Sequence, residues 1–434
     1  MKALLVNPWI YDFKAFDFWN KPVGLLICAS VLKRLGCEID LIDCMDRQSP
    51  HYATRTKTDI WGRGKYHYEE IEKPLVFESI PRRYKRYGMP RDTFIRAVQD
   101  LETPDFIFVT SSMTYWYPGV FDAIDILRKR FPRSKIVLGG IYATLCERHA
   151  LSHSAADIVF TGPLEERIGD LLSMLGWTAE IPTDLNECMP DHTLYNTMHY
   201  GVVVTSRGCP FDCTYCATKF LCRRFMSIPP DKVIAQIDAL SKKTNNIAFF
   251  DDALLCNKDL PGLLATIVDR GYSLNLHASN GLHCRYVTDE IARLMLRANF
   301  KTIYLSLETT NPVVQAQTGG KVNTQEFKDA LRALRRAGFA PHQIHAYILY
   351  GMPGQGHEEI IESIELCHAL EVSPHLCEFS PIPHTAEYEK TGFDENTDPL
   401  FHNNLFFTWY HSQPKAAMCR KIKDQLSKRS RRVG

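Results

Sequence analysis

Three cysteines, Cys209, Cys213 and Cys216, fall within eight residues on the stretch Arg207-Gly208-Cys209-Pro210-Phe211-Asp212-Cys213-Thr214-Tyr215-Cys216. The stretch follows the apolar run Gly201-Val202-Val203-Val204-Thr205, which places the thiols on a loop leaving a strand. A four-iron cluster ordinarily takes four cysteine ligands, so one held by three protein thiolates keeps an iron open to a small chelating ligand. Zinc is a rival reading. Its sites usually pair cysteines in two separated Cys-x2-Cys knuckles, whereas Cys213 and Cys216 have only Cys222 as a near neighbour. Inert buried thiols are the third possibility.

Composition narrows the setting. The chain has 434 residues and a net charge of +1, so no global field recruits nucleic acid or an anionic membrane. Its start, Met1-Lys2-Ala3-Leu4-Leu5-Val6-Asn7, turns polar too soon for a secretory core, and no apolar run reaches the length of a membrane span, about 18 residues. A cytoplasmic protein is expected. Fourteen cysteines then point to reduced thiols, with Cys28, Cys37 and Cys367 in apolar periodic segments as small core residues.

The elements that must position the thiols come as two sets of alternating strands and helices, the pattern of an α/β fold. Residues 1–176 offer strands at 2–7, 38–43, 105–111, 135–139 and 157–161, with helices at 23–35, 118–130 and 164–175. This is a flavodoxin-like (Rossmann-type) five-stranded parallel sheet, whose ligand site lies beyond the carboxyl ends of its strands. An insertion at 47–103 is too long for a plain connection. It holds Pro81-Arg82-Arg83-Tyr84-Lys85-Arg86-Tyr87-Gly88, whose charge Glu69, Glu70, Glu72 and Glu78 offset, so it reads as a solvated face or an interdomain brace. Residues 177–199 read as a linker. Strands at 201–205, 247–250, 273–278, 302–307, 344–349 and 376–379 then alternate with helices near 230–241, 260–270, 288–298, 324–337 and 357–370. Six such units, within 200–385, make a partial (β/α)6 TIM-like barrel whose active loops share one rim. Residues 386–434 are an extension. Its cluster Phe401, Phe406, Phe407, Trp409 and Tyr410 suits a cover for the open end or side of the barrel, and Lys428-Arg429-Ser430-Arg431-Arg432 reads as a solvated tail.

The spacing Cys-x3-Cys-x2-Cys, with Tyr215 before the third cysteine, resembles that of the radical S-adenosylmethionine (radical SAM) enzymes. The strand-end segments of residues 1–176 resemble the cobalamin-binding domain that precedes the barrel in many of them. The resemblance implies that Cys209, Cys213 and Cys216 hold a 4Fe-4S cluster. It implies S-adenosylmethionine contacts at Tyr215, at Asp251 or Asp252 for the methionine amine, at Ser279 and Asn280, at Glu308 for the ribose, and at Gly351 and Met352 beside the adenine. For cobalamin it implies Asn7, Pro22, Gly24, Ser111, Ser112, Met113, Gly139, Gly140, Ile141, Tyr142, Thr144, Gly162 and Glu165. The segments Gly140-Ile141-Tyr142-Ala143-Thr144 and Gly162-Pro163-Leu164-Glu165 carry that likeness. Each rim group also has a plainer reading: Asp251 and Asp252 as helix caps, Glu308 as a solvated strand end, residues 351–354 as a turn.

One departure bears on the cobalamin. The Asp-x-His-x-x-Gly motif that supplies an axial histidine is absent, and the chain reads Trp9-Ile10-Tyr11-Asp12-Phe13-Lys14 after its first strand. The implied corrin then has no histidine from that motif; a domain that has lost its cofactor is the alternative.

The implied activity is that of a cobalamin-dependent radical SAM methyltransferase acting on an unactivated carbon through a 5′-deoxyadenosyl radical. A small-molecule or peptide substrate and an electron donor such as flavodoxin or ferredoxin go with it. A cyclase or rearranging enzyme is the alternative within the family, and a noncatalytic iron-sulfur or corrinoid sensor the alternative outside it. The acidic residues at 251, 252 and 308 favour an enzyme, because a sensor needs no amine or ribose contacts. A methylthiotransferase fits less well: residues 1–176 show no cysteine trio and the extension does not read as a small β-barrel for RNA. Cys377 and His345, on strands that could point into the barrel, are read as a core thiol and a hydrogen-bonded structural histidine.

Overall fold

Apolar runs such as Ala3 to Val6 and Phe106 to Val109 are buried along their whole length, as parallel strands covered on both faces must be. In the computed structural model, which describes residues 1–52, 56–411, 421–422 and 424–426, they form the centre of a five-stranded sheet. Its order is Glu38–Asp43, Lys2–Asn7, Phe106–Val109, Lys135–Leu138, Ile158–Val159, all parallel, which is the flavodoxin-like order. Alternate side chains face two helical layers. Leu4, Val6, Ile107 and Val109 pack with the helices Arg91–Gln99 and Tyr117–Arg130, while Ala3, Leu5, Phe106 and Phe108 pack with Val23–Arg34 and Ile168–Leu175.

Three expectations change in this half. The helix expected from 164 begins at Ile168, because Gly162 takes a φ of +79° and Arg167 donates to the Thr161 carbonyl at 2.9 Å, holding the chain in a loop. Arg91–Gln99 belongs to the sheet's helical layer, so the insertion is shorter than 47–103. Within it Tyr68–Ile71 and Tyr84–Tyr87 pair antiparallel, and Tyr84–Tyr87 also pairs with Ile10–Asp12. Its basic run is neutralised across the ladder, where Arg86 pairs with Glu69 and Arg83 with Glu70. Residues 177–199 are strapped down rather than slack. Tyr195 Oη donates to Asp43 at 2.6 Å, and Lys33 Nζ reaches Asp191 at 2.6 Å.

The second sheet has six parallel strands in sequence order, Gly201–Val203, Asn246–Phe249, Asn275–Ala278, Phe300–Glu308, Ile344–Tyr350 and Ser373–Glu378. Ile303, Leu305 and Leu307 point out to the helices and join the largest core, so Tyr304, Ser306 and Glu308 point into the barrel. The side left open between the first and sixth strands is crossed by the loop after Asp12. Lys14 pairs with Glu378 on the sixth strand; Trp19, fully buried, packs on Tyr200 and Val202 of the first and stacks on His277 at 4.5 Å. Trp61 from the insertion lies tilted at 60° against the same histidine, and its carbonyl accepts from Trp19 Nε1 at 2.9 Å. The insertion thus acts as the brace.

The aromatic extension covers a different part. Phe401 and Phe406 pack with Phe13, Phe77 and Tyr84, while Phe407 packs with Leu349, Met352 and Phe379. Trp409 Nε1 donates to Glu378 at 2.7 Å, which ties the extension to the sixth strand. The basic run 428–432 lies outside the described residues. Among the described residues no helix is long and apolar enough to cross a membrane.

Candidate active site at the meeting of the two sheets

The carboxyl ends of the amino-terminal strands face the rim of the barrel across a cavity of about 490 Å³, within the range of about 300–1,000 Å³ usual for ligand sites. One wall is small or apolar: Gly24, Gly139, Gly140, Ile141, Thr144 and Gly162 stand among Leu25, Ile27, Phe108 and Phe160. Gly140 is required by close packing as well as by its φ of +87°, since a Cβ there would lie 2.6 Å from Thr110 Oγ1. The other wall comes from the barrel and contributes Arg207, Gly208, Leu221, Cys222, Asp252 and Asn280. Arg207 forms a buried ion pair with Glu165, joining the two walls at their edge.

The two aspartates that end the second barrel strand divide their roles. Asp251 is buried and accepts from Thr205 N at 3.0 Å, Thr205 Oγ1 at 2.7 Å and Ser206 Oγ at 2.7 Å, fastening the start of the cysteine loop. Burial pushes its carboxyl up to about 6, partly offset by these donors. Asp252 turns to the cavity and takes the Gly208 amide; the protein around it still raises its carboxyl above the ordinary range. Asn280 also opens on the cavity and donates to the Asp251 carbonyl at 2.9 Å. Ser279 turns inward, its Oγ donating to the Phe249 carbonyl at 2.8 Å.

The cysteine loop is clamped from two sides. The Thr214 amide donates to the Thr318 carbonyl at 3.4 Å, and Gly319 lies so close that a Cβ would sit 2.9 Å from the Asp212 carbonyl and 3.1 Å from Cys213 Cα. On the other side Thr214 Oγ1 donates to the buried Glu387 at 2.8 Å and the Glu387 amide to the Thr214 carbonyl at 3.2 Å. Lys321, just beyond Gly319, reaches Glu308 at 3.0 Å. Burial works against the ammonium charge, but Glu308 and the nearby Cys213 and Cys216 outweigh it and its pKa is raised. Glu308 holds φ at +63°, a left-handed conformation that costs a non-glycine residue on the order of 1–3 kcal/mol and is concentrated at functional sites. Tyr215 is packed beside Leu349, Met352, Phe379 and Phe407.

The donor set suits a cluster. Three thiols on one short loop carry no disulfide, and burial pushes Cys213 up to about 11 while Lys321 draws it back. Cys209, Cys213 and Cys216 would hold iron as thiolates, so iron binding would displace that proton. The cavity's glycine wall suits a bulky flat ligand, as a Cβ at Gly24 would meet nothing within 4 Å. Among the described residues no histidine lines the cavity; where the motif histidine is missing, Trp9 is buried and donates to the Met89 carbonyl at 2.5 Å.

Not every residue implied by the resemblance meets there. Asn7, Pro22, Ser111 and Ser112 line a separate crevice of about 10 Å³, room for about one water. Tyr142 lies in the core, its Oη 2.6 Å from His149 Nδ1, and Met113 lines neither space, its carbonyl accepting from Ser111 Oγ. Gly351 and Met352 line a pocket of about 120 Å³ with Phe407 and Thr408 of the extension. Lys321, Arg207 and Cys222 were missed as site residues. Lys321 lies in the Gly319-Gly320-Lys321 turn between the helices Pro312–Gln317 and Thr324–Ala337, where no strand-end pattern marks it.

Comparison with known proteins agrees with this arrangement. Residues 203–367 match the model of the radical SAM superfamily, and residues 84–172 that of the B12 binding domain. The solved structure of TsrM from Kitasatospora setae, a radical S-adenosylmethionine methyltransferase with cobalamin and a 4Fe-4S cluster bound, superposes with a TM-score of 0.67 at 14% identity, covering 98% of this chain and 90% of that one. An uncharacterised methyltransferase of Pyrococcus horikoshii is 25% identical over 198 residues, 44% of this chain and 42% of that protein. The anaerobic magnesium-protoporphyrin IX monomethyl ester cyclase of Cereibacter sphaeroides is 24% identical over 337 residues, 66% of this chain and 53% of that protein. The matched stretches thus span less than two thirds of either curated relative.

Proposed function

We propose that this chain, which carries a radical SAM domain behind a B12-binding domain, is a cobalamin-dependent methyltransferase acting on an unactivated carbon. The observation that carries the reading is the shared cavity. Asp252, Asn280 and Gly208 of the radical SAM domain and Gly24, Gly140 and Gly162 of the other domain border one space. Two cofactors held on those walls would face the same substrate atom in a site shielded from water.

Cys209, Cys213 and Cys216 would hold the cluster. Asp252, which lines the cavity, would accept the methionine amine, whereas Asp251 is bonded internally. Glu308 would take the ribose hydroxyls with Lys321 holding it in place, and Gly351 and Met352 would border the adenine. Gly24, Gly139, Gly140, Ile141, Thr144 and Gly162 would seat the corrin, with Arg207 and Glu165 closing its edge. When bound, the cluster supplies the electron that breaks the sulfonium bond and the corrin supplies a transferable methyl group. A small-molecule or peptide substrate, an electron donor such as flavodoxin or ferredoxin, and a cytoplasmic setting complete the reading.

A cyclase outcome is the second reading, favoured by the match to the Cereibacter enzyme across both domains. Anaerobic protein reconstituted with iron, sulfide and hydroxocobalamin, then given titanium(III) citrate and S-adenosylmethionine, separates the two. The methyltransferase releases both S-adenosylhomocysteine and 5′-deoxyadenosine; 5′-deoxyadenosine alone points to the cyclase, and neither product from a fully loaded sample overturns both.

A further inference from the structure

The loop after the third barrel strand carries an imidazole whose ring nitrogens have no protein partner. His283 is 2% exposed, and neither Nδ1 nor Nε2 is hydrogen-bonded. A buried polar group left so costs on the order of 1–3 kcal/mol unless a bound group or a water pairs with it. The ring lies flat on Phe211, with centroids 4.6 Å apart and planes at 18°. Phe211 stands two residues from both Cys209 and Cys213.

The surroundings fix that placement. Arg285, two residues on, donates to the Gly320 carbonyl at 2.9 Å and to Glu326 at 2.9 Å. The same segment presses on the cysteine loop through Gly319. The loop carrying His283, the 318–321 segment and the cysteine loop therefore pack against one another. Burial, with Lys321 and Arg285 adding to it, lowers the imidazole to about 3, so the ring is neutral with one N–H to give.

We propose that His283 is a positioning residue that donates its ring N–H to a sulfur of the cluster or of its thiolates, raising the potential at which the cluster accepts an electron. The inference rests on the cluster assignment made above. Its chemistry is that of an outer-shell hydrogen bond: electron density on sulfur rises on reduction, and a fixed donor favours that state.

The test is a potentiometric titration of the reconstituted full chain without S-adenosylmethionine, using dithionite and mediators with EPR detection of the reduced cluster. His283→Phe keeps the stack on Phe211 and removes the N–H. It should lower the ratio of reduced to oxidised cluster about tenfold at a fixed poise, equivalent to about 59 mV for one electron. His283→Gln, which restores a donor, should recover part of that shift. A wild-type potential in His283→Phe overturns the inference. Should that variant take up no iron, pulsed EPR of wild-type reduced cluster with and without 15N-histidine decides: a nitrogen coupling that changes on labelling is expected, and its absence overturns the inference. Wild-type protein that assembles no EPR-active cluster would instead sink the cluster assignment, a result distinct from a loaded cluster indifferent to His283.

Discussion

The two walls of the interdomain cavity are built by opposite means. On the amino-terminal side the space comes from what is missing: glycines at 24, 139 and 162 leave room between apolar side chains, and few charges take part. On the barrel side the cysteine loop is held by buried polar groups, with Asp251 gripping Thr205 and Ser206, Glu387 gripping Thr214, and Lys321 paired with Glu308. At Gly24 and Gly139 the first wall tolerates substitution until the space is filled, whereas a polar wall fails when one partner goes.

The largest contrast lies at the thiols. Alanine at Cys209, Cys213 and Cys216 should reduce iron from about four per chain to none, while uptake of hydroxocobalamin, read from its visible spectrum, stays near wild type. Loss of corrin uptake as well would show that the walls are not independent.

Next comes the buried ion pair. Lys321→Met leaves Glu308 an uncompensated carboxylate and should destabilise the apoprotein by about 4 kcal/mol in urea unfolding. Adding Glu308→Gln should recover most of that loss yet leave S-adenosylmethionine binding weak. Recovery of binding in the double variant would exclude Glu308 from the ribose site.

Asp251 sharpens the contrast through pH. Its folded-state carboxyl, at about 6, lies above its unfolded value of 3.8, so its contribution to stability is present below pH 3.8 and is lost as pH rises through 6. Asp251→Asn, which keeps an oxygen for Thr205 and Ser206, should remove this slope. The stability difference between wild type and variant should change by about 3 kcal/mol between pH 3.8 and 6, and stay flat above that. Asp252→Asn should change S-adenosylmethionine affinity instead.

The smallest effect belongs to the glycine wall. Gly24→Leu extends into open space and should leave the melting temperature within a few degrees while weakening corrin uptake about tenfold, about 1.4 kcal/mol. Unchanged uptake would place the corrin elsewhere.

Much of this was legible in the sequence, for reasons that also mark its limits. Strand and helix positions came from apolar periodicity, so all six barrel strands lie where expected, and the three cysteines stand on the loop beyond the first of them, as the apolar run before them implied. Periodicity says which residues are buried, not by what. Tyr142 sits within a glycine-flanked segment that resembles a corrin loop, yet its side chain turns back to His149. Asp251 and Asp252 are chemically alike, and their division rests on Thr205 and Ser206, which lie 45 residues away in sequence or more. The loop carrying Lys14 and Trp19 shows no regular pattern, and its role in closing the barrel depends on Glu378 and Val202 far along the chain. Lys321 lies 13 residues beyond Glu308 with a helix between them, and only the fold brings the two together.

The most direct measurement is the EPR spectrum of the reduced, reconstituted full chain recorded before and after S-adenosylmethionine is added. A cluster held by Cys209, Cys213 and Cys216 alone should change its g-values when the sulfonium compound takes the remaining iron. A fully assembled cluster whose spectrum does not respond would mean that iron is already filled, and would contradict the function proposed for this chain.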